Sequence, residues 1–196
     1  MVQSSPVTLT VRGFVVAGGR SSRMGQDKAL LPYRGSTLLE HAIAKTRAVT
    51  DDIRILCGPS RRYEDFGVAI VKDEVCGVGP LAGLYSALLS ASVDGRERIL
   101  WLAVDVPLAP HSLLARLVDG LDRAEVAMAR TTNGFEPLCA AFRTEPTLTA
   151  VRGALLHGRL KLTSALEGLD LHPIDADAAS FANINSPAEY ERFTKP

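Results

Sequence analysis

The chain has no excess charge of either sign: Lys and Arg number 22, Asp and Glu 22, and the formal net charge is zero. A balanced chain has no bulk attraction for nucleic acid or an acidic membrane, so any anionic ligand must be held by a local site. Neither nucleic acid nor membrane is an expected partner. Cysteine is scarce and odd in number: Cys57, Cys76 and Cys139 lie far apart with no C-x-x-C spacing. That argues against a disulfide framework and for a reducing compartment. No apolar run approaches the roughly 20 residues that cross a bilayer. The opening MVQSSPVTLT lacks the basic and apolar regions of a signal peptide, and the expected location is the cytoplasm. His41, His111, His157 and His172 show no ligand spacing, so no zinc site is implied.

What the chain does have is alternation. Val11 to Ala17, Ile53 to Cys57, Val68 to Val71 and Ile99 to Val104 are short apolar, β-branched runs ended by Gly, Pro or Asp, and they read as strands. Ser36 to Val49, Pro80 to Ser90, His111 to Leu121, Thr147 to Leu156, Leu162 to Leu169 and Pro187 to Phe193 read as helices. Further strands are expected at Glu125 to Ala129, at Leu138 to Phe142 (antiparallel) and at Leu171 to Asp175. Gly18 to Pro32 reads as a loop. This pattern predicts an α/β domain with a doubly wound, mostly parallel sheet flanked by helices. Residues 1–9 read as a flexible leader and 10–196 as a single domain. In such sheets ligands bind beyond the carboxyl ends of the strands, at the switch point. Gly18-Gly19, Asp73 and Asp105 all fall at predicted strand ends.

The loop AGGRSSRMGQDKALL follows the first strand. Gly18, Gly19 and Gly25 let the backbone turn and approach a ligand, and Arg20, Arg23 and Lys28 add three cations. Backbone N–H groups with fixed cations suit a polyphosphate. It is neither a Walker loop, since Ala29 follows Lys28, nor a G-x-G-x-x-G dinucleotide fingerprint.

Asp105 ends the apolar ILWLAV run, with Pro107 bending the chain away. A carboxylate there can reach a metal at the sheet edge, and Mg²⁺ takes one or two carboxylates with phosphate oxygens and water. A turn or cap role fits the same position. Asp73 precedes a Gly-Pro turn into a helix whose N-terminus presents free N–H groups, and it also suits a solvated loop. Asn183 and Asn185 share one face of an extended segment. They can bond a ligand or a metal's water shell, beside a helix cap formed by Ser186, Pro187 and Glu189.

These segments together resemble the molybdenum cofactor guanylyltransferases, whose signature has the form L-A-G-G-x-S-x-R-M-G-x-D-K-x-L. Here it reads VAGGRSSRMGQDKALL, with Val16 in place of Leu. Gly79 to Gly83 matches the family's G-P-L-A-G. LAVDVP matches its Asp-x-Pro, with Val104 where Cys is usual. FEPLCAAFR is similar to H-P-L-x-A-L-Y, with Glu136 in place of His, and FANINSPAEY to F-x-N-x-N-T-P. Where relatives carry an Asn after the second strand, this chain has Cys57-Gly58. The resemblance implies a Rossmann-like nucleotidyltransferase fold over 10–196 and transfer of GMP from GTP to the terminal phosphate of molybdopterin, with release of pyrophosphate. It implies Mg²⁺ on Asp105, with base and ribose along Val16, Ala17, Gly18 and Gly19 near Asp73. Arg23 and Lys28 would neutralise the triphosphate, and Asn183 and Asn185 would complete the site. Molybdoenzymes or their chaperones would receive the product. A cytidylyl or sugar-phosphate transferase of the same fold, or a non-catalytic nucleotide- or cofactor-binding protein, stays open.

Overall fold

Strand β6, Arg98–Ala103, is buried along its whole length because it lies inside a seven-stranded sheet covered on both faces. The structure, a computed structural model, describes residues 11–18, 27–75, 79–182 and 189–191. The expected leader at 1–9 lies outside them. Parallel strands β5 (Ala69–Val71), β4 (Ile53–Leu56), β1 (Val11–Val16) and β6 are neighbours in that order. Beyond β6 come β8 (Gly134–Arg143), β7 (Val126–Thr131) and β9 (Leu171–Asp175). β8 is antiparallel to β6 and to β7, while β9 is parallel to β7. Among the described strands of this sheet, β8 alone runs against the rest, as its sequence suggested. The strand order reverses between β1 and β6, which makes that gap the switch point.

Alternation of side chains along β1 and β6 feeds two cores. On one face Val15, Leu100 and Leu102 pack with Leu39 and Ile43 of α1 (Leu38–Arg47) and with Leu114 and Leu117 of α3 (His111–Gly120). On the other, Phe14, Ile99 and Trp101 pack with Leu84 and Leu88 of α2 (Pro80–Val93), Val151 of α4 (Thr144–Leu156) and Ala165 of α5 (Leu162–Ala165). No helix among the described residues is long and apolar enough to cross a membrane. Cys57 and Cys139 are buried free thiols, and Cys76 lies outside the described residues.

Several boundaries differ from those expected, each for a local reason. Ser36 and Thr37 do not open α1 but form β3, paired with β2 (Pro32–Tyr33) around Arg34 and Gly35, both at positive φ. Thr37 then caps α1 in a reciprocal capping box with Glu40. Helix α4 starts before Pro146, because a proline in the first turn costs no intrahelical hydrogen bond. Helix α5 stops at Ala165 rather than Leu169: no side chain caps its start, and Gly168 at φ +90° turns the chain back toward β9. Of the expected terminal helix 187–193, the described residues 189–191 are helical.

Candidate active site

The sheet's register lines up the candidate residues. Val71, Leu56, Val16 and Ala103 stand in one row across β5, β4, β1 and β6. Two residues further along, the row becomes Asp73, Gly58, Gly18 and Asp105. Pairing continues past the strand ends: Ala17 N–H donates to Leu56 C=O (2.9 Å), Cys57 to Val71 (3.2 Å), Val104 to Val16 (3.1 Å) and Asp73 to Gly58 (3.0 Å). Two carboxylate-bearing positions therefore flank two glycines, across three strand spacings or about 14 Å. A Cβ on Gly18 would lie 2.8 Å from the Gly58 nitrogen. Glycine is required there by backbone approach alone, and the same requirement leaves the centre of the row free of side chains.

Asp73, at the β5 end, lies near the first turn of α2. Its Oδ1 is 3.7 Å from where a Cβ on Gly83 would stand. Burial pushes its carboxyl above the ordinary Asp value, and no cation pairs with it among the described residues. At the β6 end, Asp105 Oδ2 accepts from Lys28 Nζ at 3.2 Å, with both side chains less than a fifth exposed. Asp105 Oδ1 is buried without a hydrogen-bond partner among the described residues. Such an oxygen costs free energy unless something binds it. A divalent ion fits: one carboxylate oxygen, with phosphate and water completing the shell, is an ordinary Mg²⁺ donor set.

Lys28 is aimed by groups that sequence reading missed. It opens a 3₁₀ turn, Lys28–Leu30, capped by Asp27, whose carboxylate accepts from Ala29 N–H. That carboxylate also pairs with Arg62 (2.9 Å) and accepts from the Tyr63 hydroxyl (2.8 Å). Arg62 donates in turn to Cys57 C=O (3.0 Å), and the Tyr63 hydroxyl lies 3.3 Å from Ala17 C=O. The end of the basic loop is thus tied to the ends of β1 and β4. Burial, then the hydrogen bond and charge of Asp27, push the Tyr63 phenol well above its ordinary value, so it stays a donor. The only sequence signal was Asp immediately before Lys at a turn.

The segment after Asp105 is held from α1. Lys45 Nζ donates to the carbonyls of Pro107 and Ala109 (2.6 Å to the latter), and His41 Nε2 lies 3.1 Å from the same Pro107 oxygen. Burial lowers the Lys45 ammonium to about 8. Burial, then the charge of Lys45, lowers His41, so a neutral ring donating from Nε2 is the form that fits.

Of the residues expected from sequence, Val16, Ala17, Gly18, Lys28, Asp73 and Asp105 stand at the carboxyl edge. Lys28 and Asp105 touch. Gly19, Arg20, Arg23, Gly25, Asn183 and Asn185 lie outside the described residues. Glu136 is half-buried on β8, bonded to Thr131 (3.3 Å).

Comparison with known proteins bears on the fold and the family. Residues 13–169 match the model of the MobA-like NTP transferase domain. The molybdenum cofactor guanylyltransferase of Yersinia pseudotuberculosis is 31% identical over 184 residues, covering 91% of this chain and 92% of that protein. Among solved structures, the molybdopterin-guanine dinucleotide biosynthesis protein A of Archaeoglobus fulgidus superposes with a TM-score of 0.71 at 22% identity, covering 93% of this chain and 96% of that one. A Mycobacterium tuberculosis protein solved in complex with manganese gives 0.66 at 19% identity, covering 94% and 97%. The last two bear on the fold; the domain match and the Yersinia relative decide the family. The chain belongs to the MobA-like NTP transferase family and is a nucleotidyltransferase.

Proposed function

We propose that this chain transfers GMP from GTP to the terminal phosphate of molybdopterin, releasing pyrophosphate and forming the guanine dinucleotide cofactor. The single observation that carries the catalytic reading is the contact between Lys28 and Asp105 at the switch point, with one Asp105 oxygen left without a partner among the described residues. The named activity of the Yersinia relative supplies guanylyl transfer and the molybdenum cofactor.

In this reading the base and ribose lie along Val16, Ala17, Gly18 and Gly19, over the side-chain-free centre of the row, with Asp73 at one flank. Asn183 and Asn185 are assigned to hydrogen bonds with the ligand or the metal's water shell. Lys28 and Arg23 neutralise the triphosphate. A phosphate oxygen of the acceptor attacks the α-phosphorus. The bond from that phosphorus to the bridging oxygen of the β-phosphate breaks, and pyrophosphate departs. The attacking oxygen is already anionic, so no strong general base is needed. The protein's share is alignment and charge compensation. Asp105 would hold Mg²⁺, and the ion when bound would supply Lewis-acid neutralisation of the α-phosphate. Lys28 on Asp105 Oδ2 orients that carboxylate, leaving Oδ1 for the ion.

Residues 10–196 form a single domain in this reading, with 1–9 a leader. It works in the cytoplasm and hands its product to molybdoenzymes or their chaperones. The test is pyrophosphate release from each of the four NTPs, with and without molybdopterin, alongside incorporation of α-labelled GTP. Release with GTP only when molybdopterin is present is expected. Equal or greater incorporation from CTP removes the guanylyl assignment, and no release with any pair removes the transferase mechanism.

A further inference from the structure

We propose that Lys45, with His41 one helical turn before it, is a positioning residue for the loop that carries Asp105. The inference rests on the reading of Asp105 as the metal-bearing carboxylate.

The loop from Asp105 to Pro110 joins β6 to α3 and contains prolines at 107 and 110. Neither proline has an N–H, so the segment is poorly able to hold itself by backbone donation. Its own described backbone bonds are long, 3.4 Å from Val106 to Ala103 and 3.2 Å from Ala109 to Val106. What it offers instead is carbonyl oxygens, and α1 grips two of them. Lys45 takes Pro107 and Ala109 together, and His41 reaches Pro107 as well. The Tyr33 ring packs against His41 in a T-shaped contact, 4.8 Å between centroids, which restrains the imidazole.

Lys45 is a costly way to do this. It is 5% exposed and lies among the apolar residues of the α1 face. Among the described residues no carboxylate pairs with it. A buried ammonium without a counter-ion lowers stability relative to an apolar residue of similar length. Packing alone would therefore favour Met or Leu here. The two carbonyls it bridges lie two and four residues past Asp105. Fixing them sets the direction in which Asp105 leaves β6, and with it where Oδ1 points. Outer groups that orient a metal ligand in this way carry much of a site's affinity.

The experiment measures Mn²⁺ binding by electron paramagnetic resonance with a non-hydrolysable GTP analogue present, and kcat and KM against Mg²⁺ concentration. The proteins are the full chain, Lys45→Met, His41→Ala, His41→Gln and Asp105→Asn, each checked for native thermal unfolding. Lys45→Met should lose about tenfold in Mn²⁺ affinity and in kcat at limiting Mg²⁺, with KM for GTP at saturating Mg²⁺ little changed. Excess Mg²⁺ should recover much of the kcat. His41→Ala should lose about fivefold in Mn²⁺ affinity, the worth of one hydrogen bond, and His41→Gln, which keeps a donor, should restore it. If Lys45→Met does not fold, the two His41 variants decide by the same contrast. Wild-type Mn²⁺ affinity in the folded Lys45 and His41 variants, with binding lost in Asp105→Asn, overturns the positioning role and leaves the site reading intact. Wild-type Mn²⁺ affinity in Asp105→Asn overturns the site reading, and the positioning role falls with it.

Discussion

The two ends of the sheet use the same residue types to opposite effect. At the amino end, Arg12 is 1% exposed on β1, and its guanidinium reaches Asp94 (2.6 Å), Asp52 (3.1 Å) and the Ser90 carbonyl (3.3 Å). Asp52 is shared with Arg54 (2.8 Å) and Arg96 (2.7 Å). At the carboxyl end, Asp105 has one cation and one buried oxygen with no described partner, and Asp73 has no described cation at all. Burial by itself would raise Asp52, but the hydrogen bonds from Arg12 and Arg96 and the surrounding positive charge outweigh it, and its carboxyl lies below the ordinary value. Asp73 has only the burial and lies above. A saturated charge network closes the bottom of the sheet. An incomplete one at the top is a place for a ligand to finish.

That contrast breaks most sharply on substitution. Lys28→Ala and Asp105→Asn should each lower kcat by about 100- to 1,000-fold, the usual cost of removing one preorganised charge from a site that stabilises a transition state. Both should leave unfolding stability within about 1 kcal/mol, since the described pair stands apart from the charge network at the amino end. Pyrophosphate release and urea unfolding measure the two quantities. A variant that loses stability and keeps turnover would reverse the assignment of the carboxyl end. Arg12→Met should do the opposite. It should cost about 2–3 kcal/mol of stability, below the full penalty of a broken buried pair because Asp52 keeps Arg54 and Arg96 and Asp94 is half-exposed. Turnover per folded molecule should be unchanged, measured well below the unfolding temperature.

The sheet was legible because its strands are buried apolar runs broken by Gly and Pro, and β6 could hardly be anything but a central strand. The placing of Asp105 and Lys28 at the carboxyl edge was legible because the strand ends were; residues 19–26 of the basic loop lie outside the described residues. The supporting groups were not. Asp27, Arg62 and Tyr63 meet across a turn whose geometry depends on Tyr63 in the left-handed region at φ +68°, which no local pattern announces. Lys45 sits at a helical position where a lysine reads as solvent-facing. Only the packing of α1 against the Pro107 loop reveals it as buried. The Pro32–Thr37 hairpin was missed because Arg34-Gly35 is an unusual turn pair beside the expected Asn-Gly or Asp-Gly. The over-long α5 came from extending helical spacing through a glycine that the chain needs for a turn.

The smallest effect separates the two ends by sign rather than size. Asp52 has a depressed folded-state pKa, so it contributes stability above the unfolded Asp value, which is lost as pH falls through the folded value. Asp73 has a raised one, so its ionised form is a burden to the fold at neutral pH, and that burden is relieved as pH falls through its folded value. In the native protein the two partly cancel between neutral and acid pH. Asp73→Asn removes the opposing member. It should stabilise the chain at pH 7 by no more than about 1 kcal/mol and should make the acid loss of Tm steeper than in the unmodified chain. Asp52→Asn should be destabilising at pH 7 and flatten the same curve. Melting temperatures taken from pH 7 down to the onset of acid unfolding give both slopes. If the two substitutions shift the slope in the same direction, the carboxylates at the two ends of the sheet do not differ in the way their partners imply.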